Sequence, residues 1–414
     1  MTAPSTATQH FQQQIDIAHQ AGGGTVTVPP GEHVCGTLYL RSGVCLHLEH
    51  GATILGSQDL ADYPLHTDPP VRSFADWNGM RSLIYAESAE NIALTGSGTI
   101  DGRGACFECD GTDKDGRPRL IQMIGCKDVR IDGLTLRNSG LWLQHYLGCE
   151  RLRLHGLTAW NHVQPNNDFV DIEGCRDVRI SDCTSDTDDD GITLKSGCER
   201  PTEDVVVTNC VIRAHCNAIK CGTESNGGFR NISISNCVVA PSLKKEFIHG
   251  HPHGISGISL ESVDGGVLEN VTLQNIAVRG TEVPTFIKLG ERNRAYLPDG
   301  EVTGQGAVRK VSLSNIEVTE AGAIGCILTG LPHLPIEQLS LRDIRIQLAE
   351  AAPEARKPET VPEQEKAYPE ATMFGHVPAA GFFIRHARKV SLENIEIIPH
   401  ADDPRPAVVT ENVE

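Results

Sequence analysis

The chain has 414 residues, of which 39% are hydrophobic and only 5% aromatic, and glycine contributes 41 residues. A chain of this length buries a large core, and a composition rich in glycine and poor in aromatic residues favours short strands and turns over helix bundles. Its 54 acidic residues against 36 basic ones give a formal net charge of −18. This charge argues against a general binder of nucleic acid or of anionic membranes, but it does not describe any local groove.

The beginning of the chain, residues 1–9, is polar, and no apolar run anywhere is long enough to span a membrane. No secretory leader is visible. We therefore expect a cytoplasmic protein, or a secreted or periplasmic one if a leader was removed.

The first predicted element is a short amphipathic helix over residues 7–21. Its apolar side chains include Phe11 and Ile15, and three consecutive glycines beginning at Gly22 end it. Because the repeats described next predict a solenoid, we expect this helix to cap the first coil.

One short pattern then recurs along the chain: a polar residue, alternating aliphatic residues, Asn, Asp or Gly, and a further apolar residue. Copies begin at Asp128, Arg151, Asp177, Asp204 and Asn231, so the spacing is 23 to 27 residues. Alternation with period two indicates a strand with one buried face, and Asn, Asp or Gly indicates a tight turn. A single short strand cannot bury its apolar face, whereas a stack of similar coils can. The sequence therefore predicts an all-β fold, a single-stranded parallel β-helix, forming one domain over residues 1–414.

Several of the fourteen cysteines follow the same period. Cys183, Cys210 and Cys237 recur every 27 residues, a spacing that predicts a stacked ladder of small, reduced, apolar side chains. Cys106 and Cys109 have the spacing of zinc ligands, but no second pair follows them, so a zinc site there is the less favoured interpretation.

A stretch rich in proline and glutamate, residues 349–376, interrupts the repeats near the end of the chain. It lacks any strand or helix period. We expect a loop excursion from the stack that is ordered only if it packs on the groove.

Two groups of carboxylates are the strongest chemical signal. One contains Asp168, and the other runs from Asp186 to Asp190. Asp168 and Asp189 are separated by almost one coil, which places them on adjacent rungs about 4.8 Å apart. Crowded carboxylates acquire different pKa values, and glycoside hydrolysis needs one protonated and one ionised carboxyl group. A role in turns explains three consecutive aspartates poorly because they repel one another. A calcium site is the main alternative.

Several segments carry a resemblance to a known family: residues 22–31, 96–104 and 138–142, the motif Asn166-Asn167-Asp168-Phe169, and the pair Asp189-Asp190. Together they resemble glycoside hydrolase family 28, the polygalacturonase family. The resemblance implies a right-handed parallel β-helix, inversion of configuration, no metal or cofactor, and an oligosaccharide or polysaccharide substrate. Asp189 then resembles the general acid, and Asp168 and Asp190 resemble the carboxylates that activate water.

Two departures from the family pattern bear on the substrate. Residues 216–218, Cys-Asn-Ala, stand where the family has Gly-His-Gly, and residues 259–261, Ser-Leu-Glu, stand where it has Arg-Ile-Lys. The cations that grip a galacturonate carboxylate are therefore absent from their usual positions. The substrate is expected to be another pectin-derived or uronic oligosaccharide, or a neutral sugar.

Other residues near the predicted groove are candidates for sugar contact. The candidate substrate-binding residues are Asn166, Trp142, His145, Lys220, Glu224, His249, Glu291, Arg292 and Arg385. Lys220 follows the aspartates by one coil and is equally consistent with a solvated lysine. Trp142 is equally consistent with a core residue and a stacking platform. His249 alternates with His251 and His253, for which a plain surface position is the first interpretation, sugar contact the second and a metal site the least favoured.

Three functional classes remain open on the sequence. The favoured one is an inverting glycoside hydrolase, exo-acting because the insertions at residues 65–80, 106–119, 243–254 and 349–374 are candidate walls of a pocket. The alternatives are a polysaccharide lyase on the same fold and a non-catalytic carbohydrate-binding solenoid. Neither a nucleic acid nor a membrane is expected as a partner, and the oligomeric state is open.

Overall fold

The computed structural model describes residues 6–76, 80–109, 116–302, 304–352 and 354–414. Within these ranges the helices are α1 (Thr6–Gln20) and four single turns of 3₁₀ helix, Leu60–Asp62, Phe74–Asp76, Gly104–Cys106 and Pro358–Thr360. Among the described residues, no helix combines the length and the apolar character needed to cross a membrane.

The same ranges contain thirty strands. The first ten are β1 (Gly24–Val28), β2 (Gly31–Cys35), β3 (Leu38–Tyr39), β4 (Val44–Leu48), β5 (Ala52–Gly56), β6 (Ser82–Glu87), β7 (Glu90–Gly96), β8 (Thr99–Asp101), β9 (Arg119–Ile124) and β10 (Lys127–Asp132). The next ten are β11 (Thr135–Arg137), β12 (Gln144–Leu147), β13 (Glu150–His155), β14 (Thr158–Asn161), β15 (Val170–Glu173), β16 (Arg176–Ser181), β17 (Thr184–Thr187), β18 (Ile192–Ser196), β19 (Thr202–Thr208) and β20 (Val211–Ala214). The last ten are β21 (Asn217–Ser225), β22 (Phe229–Val239), β23 (Ser256–Ser262), β24 (Val267–Arg279), β25 (Val283–Leu289), β26 (Ala307–Ala321), β27 (Cys326–Thr329), β28 (Ile336–Leu348), β29 (Phe382–Ile398) and β30 (Val408–Val413).

The strands stack into three parallel sheets, because each strand of the central coils pairs with the third strand before and after it. Strands β7, β10, β13 and β16 belong to the first sheet, β8, β11, β14 and β17 to the second, and β9, β12, β15 and β18 to the third. From β22 onwards, long strands turn a corner and serve two sheets. The third sheet, with β21, β23, β25 and β27, is called the groove sheet below. The predicted all-β parallel β-helix is confirmed.

The corners between the first and second sheets are made by Asn and Asp, as the repeat pattern predicted. Asp182, Asn209 and Asn236 have φ of 58°, 57° and 56°, which is the left-handed conformation that these two residue types tolerate best. Their side chains also stack: the amide of Asn275 donates to Asn236 at 3.1 Å, and Asn315 donates to Asn275 at 2.8 Å. Each corner thus holds the next coil in register.

The core runs along the axis of the β-helix and consists mainly of Val, Ile, Leu and Cys. All fourteen cysteines lie in the described residues and are free thiols. Cys183, Cys210 and Cys237 are each about 2% exposed or less and stack on successive coils, with side-chain hydrogen bonds along the row. The prediction of a reduced, apolar cysteine ladder is confirmed.

The helix α1 covers the open end of the stack. Phe11 and Ile15 are buried against the first coil, and the polar face of the helix satisfies that coil's edge backbone. The amide of Gln12 pairs with both backbone groups of Tyr39, at 2.8 and 3.1 Å, and the hydroxyl of Thr8 accepts from the backbone N–H of Gly36 at 2.9 Å. An unpaired edge would otherwise invite association with another chain, so the helix is a cap in the physical sense.

The proline- and glutamate-rich excursion packs on the outer face of the groove sheet. Val361 and Phe374 form a second apolar cluster with the sheet residues Phe286 and Phe383. Arg385, 1% exposed, donates to the carbonyl oxygens of residues 361 and 362 at 2.8 and 2.6 Å. Arg385 therefore anchors this excursion and is not available for the sugar contact predicted from the sequence. Pro353, within the predicted excursion, lies outside the described residues, as do residues 77–79 and 110–115 of the predicted walls.

Candidate active site

The two carboxylate groups lie at the corner between the second sheet and the groove sheet. Asp168 precedes β15 and the Asp188–Asp190 segment precedes β18, so they occupy adjacent coils. The backbone N–H of Phe169 donates to the carbonyl of Asp190 at 3.0 Å, which joins the two turns directly. The stacking expected from the 21-residue separation is therefore present.

Neighbouring residues in a strand face opposite sides of the sheet, so one of two adjacent aspartates in a strand would point into the core. The Asp189–Asp190 segment is a turn and not a strand, so this constraint does not apply to it. Gly191 makes this turn possible by its small size, since a Cβ there would lie 2.4 Å from the carbonyl oxygen of Ala218 and 2.5 Å from Ile212. Asp190 is 4% exposed, whereas Asp189 is half-buried. Asp189 is thus the more accessible carboxylate of the pair.

Asn167 holds the turn that carries Asp168. Its buried side-chain oxygen accepts from the backbone N–H groups of Val163 and Gln164, each at 2.8 Å. Its amide donates to the carbonyl oxygens of Ser139 and Leu141 at 3.1 and 2.9 Å. All of its hydrogen-bonding capacity is spent on backbone, so Asn167 is a positioning residue that the sequence analysis named only as part of a motif.

Asp190 is surrounded by donors. The ammonium of Lys220 lies 2.9 Å from one carboxylate oxygen, and the backbone N–H and side-chain amide of Asn217 donate to the other at 2.9 and 2.8 Å. Burial opposes ionisation of Asp190, but the charges of Lys220 and Lys195 and these hydrogen bonds outweigh it and lower the pKa. Asp190 is therefore the ionised carboxylate of the site, and Lys220 is bound to it.

Asp168 and Asp171 have the opposite electrostatic character. Burial, together with the neighbouring charges of Asp171, Asp189 and Asp190, raises the pKa of Asp168 well above its ordinary value. Burial likewise raises the pKa of Asp171 well above its usual range, and both of its oxygens lack a hydrogen-bond partner. One carboxyl oxygen of Asp168 is also buried without a partner. The site thus combines a carboxylate whose pKa is lowered with two carboxyl groups whose pKa values are raised.

Lys195 and Glu224 form the floor of the groove beside these acids. The ammonium of Lys195 lies 3.1 Å from Glu224 and 3.7 Å from Asp171, and 5.0 Å from the ring of Trp142. Burial opposes ionisation of Glu224, but the charges of Lys195, Arg294 and Arg292 hold its pKa well below the usual range. Trp142 is 6% exposed and lies outside the axial core, so it supports the cations of the floor and is not an open stacking platform.

Arg292, predicted to contact substrate, is fastened to the protein. Its guanidinium makes a bidentate pair with Asp264, at 2.9 and 2.5 Å, and also donates to the hydroxyl and carbonyl oxygens of Thr223. Asp264 therefore serves to hold this arginine. Glu291 points to His333 at 3.1 Å.

The other three predicted contact residues differ in their surroundings. His145 is completely buried between Glu173, at 2.8 Å, and Gln122, at 3.2 Å, so its sequence-based role in sugar contact does not fit its position. The side chain of Asn166 accepts from Arg117 at 3.2 Å. His249 is exposed, and its backbone N–H donates to Asp188.

Two residues of the excursion approach the acids, although nothing in the local sequence indicates it. The charge of Lys220 lowers the pKa of Tyr368, but burial and the charges of nearby glutamates, among them Glu370, outweigh it and raise that pKa. The ring of Tyr368 lies 5.7 Å from the guanidinium of Arg292. Burial raises the pKa of Glu370. The charge of Lys220 opposes this rise, and the charge of Asp190 adds to it. These residues are more than 140 positions from Lys220 in sequence, so only the folded loop brings them to the site.

The family model for glycosyl hydrolases family 28 matches residues 23–328, about three quarters of this β-helical chain. The chain belongs to this family of glycoside hydrolases. The resemblance inferred from the motifs is therefore confirmed.

Two curated relatives agree with this membership. A probable polygalacturonase of Vitis vinifera is 27% identical over 377 residues, covering 85% of this chain and 72% of the relative. An exo-poly-alpha-D-galacturonosidase of Dickeya chrysanthemi is 23% identical over 330 residues, covering 65% of this chain. The chain spans 53% of the length of that second relative.

Solved structures share the fold. An exopolygalacturonase from Thermotoga maritima superposes with a TM-score of 0.70 at 20% identity, covering 94% of this chain and 88% of that one. A family 28 exopolygalacturonase from Yersinia enterocolitica gives a TM-score of 0.73 at 20% identity, covering 98% of this chain and 75% of that one. At this identity the likeness establishes the fold, the right-handed parallel β-helix that the motifs implied.

Proposed function

We propose that the protein is an inverting, exo-acting glycosidase of pectin-derived or other uronic-acid-containing oligosaccharides. The observation that carries this proposal is the juxtaposition on adjacent coils of Asp190, whose pKa is lowered, with Asp168, whose pKa is raised, beside the more exposed Asp189. Glycoside hydrolysis by inversion needs a base for water, the role proposed for Asp190 with the help of Asp168, and a separate acid for the leaving oxygen, the role proposed for Asp189.

In the proposed mechanism Asp189 protonates the leaving glycosidic oxygen, and Asp168 and Asp190 hold the attacking water. Asp190 is the member that takes the proton from water, since Lys220 and Asn217 stabilise its ionised form. Because the pKa of Asp168 is raised, Asp168 and Asp190 together hold a single negative charge in this mechanism. Asp168 then orients the water by hydrogen bonding. Asp189 is the most exposed of the three carboxylates, which suits the member that must reach a glycosidic oxygen.

Exo action is proposed because the excursion of residues 349–376 covers one side of the groove. Tyr368 and Glu370 extend from it toward Lys220, and Lys288 and Arg385 fasten its base. A loop fixed beside the acids limits the length of chain that passes the site. The relatives named as exo-acting enzymes support the same mode.

The substrate class is tested by products. A set of pectic oligosaccharides and matched neutral oligosaccharides is incubated with the protein, and the products are identified by chromatography and anomeric NMR. We expect monosaccharide to appear before the polymer's viscosity falls, with inverted configuration at the new reducing end. Rapid loss of viscosity would contradict exo action, and retention would contradict the mechanism. Ultraviolet-absorbing unsaturated products would identify a lyase instead.

The residue assignment is tested by Asp168→Asn, Asp189→Asn and Asp190→Asn. General acid–base catalysis is worth roughly 10²-fold or more, so each variant should lose at least that factor in kcat while remaining folded. Loss at Asp189 should be greatest for poor leaving groups, because only those depend fully on protonation. Asp182→Asn, a corner aspartate on the exposed edge, is the matched control and should keep its activity. If all three site variants kept near-full turnover, the active site would lie elsewhere.

A further inference from the structure

A second cluster of ionisable side chains lies directly behind the catalytic turn. His162 follows β14, Asp188 follows β17 and His215 follows β20, so the three occupy the same corner of three consecutive coils. Their exposed fractions are 3%, 0% and 0%. One ring nitrogen from each histidine and one carboxylate oxygen of Asp188 all lie within 4.8 Å of one another.

The far side of each imidazole is already fixed by an acceptor. Nε2 of His162 lies 2.9 Å from a carboxylate oxygen of Asp186, and Nε2 of His215 lies 3.0 Å from the carbonyl oxygen of Lys244. Both partners can only accept, so each Nε2 carries a proton. Histidines that bind a metal through one nitrogen typically donate the other N–H to a carboxylate or carbonyl in this way.

The near side of each imidazole faces the same carboxylate oxygen. Nδ1 of His215 lies 3.2 Å and Nδ1 of His162 lies 3.7 Å from Oδ1 of Asp188, and Nδ1 of His162 has no hydrogen-bond partner. In neutral imidazoles both Nδ1 atoms present lone pairs. Three lone-pair atoms converging in a buried space repel one another unless a cation lies between them, either a metal ion or a second proton on an imidazole. Such a proton on His215 has Asp188 as its acceptor at 3.2 Å, so the unpartnered Nδ1 of His162 is the atom that points to a metal ion.

The spacing of these atoms fits a transition-metal ion. Ligands about 2.0–2.1 Å from a tetrahedral zinc ion are roughly 3.3 Å from one another, close to the 3.2 and 3.7 Å observed. Two imidazoles with one carboxylate suit zinc-class ions, whereas calcium prefers sites made entirely of oxygen. A proton on Nδ1 of His162 would, by contrast, have no acceptor at hydrogen-bonding distance.

We propose that His162, Asp188 and His215 form a binding site for a divalent transition-metal ion of the zinc class. Its role is structural. Asp188 also accepts from the backbone N–H groups of Ile248 and His249, each at 3.0 Å, so the ion fastens the loop before β23 to the catalytic turn. This inference is independent of the proposed glycosidase activity, since it concerns binding and stability.

The site is tested first by metal content. The full chain is purified without added chelator or metal-affinity resin, and its metals are measured by inductively coupled plasma mass spectrometry. It is then stripped with chelator and titrated with Zn²⁺ in competition with a chromogenic chelator. We expect about one Zn²⁺ per chain and an upward shift of the unfolding temperature on adding Zn²⁺.

Variants locate the ion. His162→Gln and His215→Gln should abolish stoichiometric Zn²⁺ binding, and Asp186→Ala, which removes the acceptor that orients His162, should weaken it by about 10–100-fold. Cys216→Ser and His253→Gln should bind as the parent chain does. Cys216 is the appropriate control because its sulfur lies within 4.8 Å of carboxylate oxygens of Asp189 and Asp190, the other group able to hold a metal among the described residues.

Co²⁺ substitution gives a readout that does not depend on how well a variant folds. An ion bound by nitrogen and oxygen shows visible d–d bands without a thiolate charge-transfer band, and this is the expected spectrum. A thiolate band would place the ion at a cysteine and overturn the proposal. Absence of Zn²⁺ from the purified chain, together with no thermal shift on adding Zn²⁺, would also overturn it.

Discussion

The buried pair of Lys220 and Asp190 gives the sharpest test of the site's electrostatics. Their charged atoms are 2.9 Å apart, and the side chains are only 4% and 5% exposed. Lys220→Met removes the cation and leaves Asp190 without its main counter-charge. Breaking a buried pair in this way costs about 3–5 kcal/mol, because the remaining charge stays in a poorly solvated place.

A surface pair provides the matched control. Lys127 lies 3.7 Å from Glu90, and these side chains are 44% and 57% exposed. Exposed pairs contribute about 0–1 kcal/mol, so Lys127→Met should have little effect. The assay is urea-induced unfolding at pH 7, followed by circular dichroism, with the free energy of unfolding compared between variants.

The double variant Lys220→Met/Asp190→Asn separates charge from packing. With both charges gone, no ion is buried unpaired, and a substantial part of the lost free energy of unfolding should return. The reasoning would be refuted if Lys220→Met were destabilised no more than Lys127→Met, or if the double variant were less stable than Lys220→Met. Lys220→Met should also lower kcat by at least tenfold, since Lys220 stabilises the ionised form of the proposed base.

Three further predictions follow from single contacts. Gly191→Ala should lower the free energy of unfolding by about 1–3 kcal/mol, because the added Cβ clashes with a backbone carbonyl. Gly306→Ala is the control and should be nearly neutral, since the nearest atoms to its Cβ are 3.4 Å away. Equal urea midpoints for the two variants would contradict this prediction. Burial raises the pKa of Glu261 to about 8; the charge of Lys220 opposes this rise, and the charge of Glu370 adds to it. Its folded pKa exceeds its ordinary value of 4.5, so stability should fall by a few kcal/mol as pH rises from about 4.5 to 8. Glu261→Gln should flatten that part of the pH profile of unfolding, and an unchanged profile would rule out a buried neutral carboxyl. Arg385→Gln should speed proteolysis within residues 349–376 roughly tenfold by releasing the carbonyl groups of residues 361 and 362. Surface Arg388→Gln is the control, and equal cleavage rates would show that Arg385 does not anchor the loop.

The repeating pattern in the sequence determined the fold. Residues of alternating burial followed by Asn or Asp form a strand and a left-handed corner by local sterics, and Asp182, Asn209 and Asn236 adopt that corner. Because coils of similar length stack in register, the separation of Asp168 from Asp189 was enough to place them on adjacent coils. The reduced cysteine ladder and the capping helix follow from the same periodicity.

The tertiary structure alone decided which charged side chains of the site are paired and which carboxyl groups have raised or lowered pKa values. Lys220 pairs with Asp190, and Arg292 pairs with Asp264, and the partners are about 30 positions apart on neighbouring coils. The local sequence around such a lysine or arginine does not distinguish a paired side chain from a solvated one. Tyr368 and Glu370 reach the site because an aperiodic loop folds back over the groove sheet. Burial of Asp171, and the meeting of His162 with His215, depend on side-chain directions at a corner. Such directions are set by packing between coils, for which a linear pattern carries no signal.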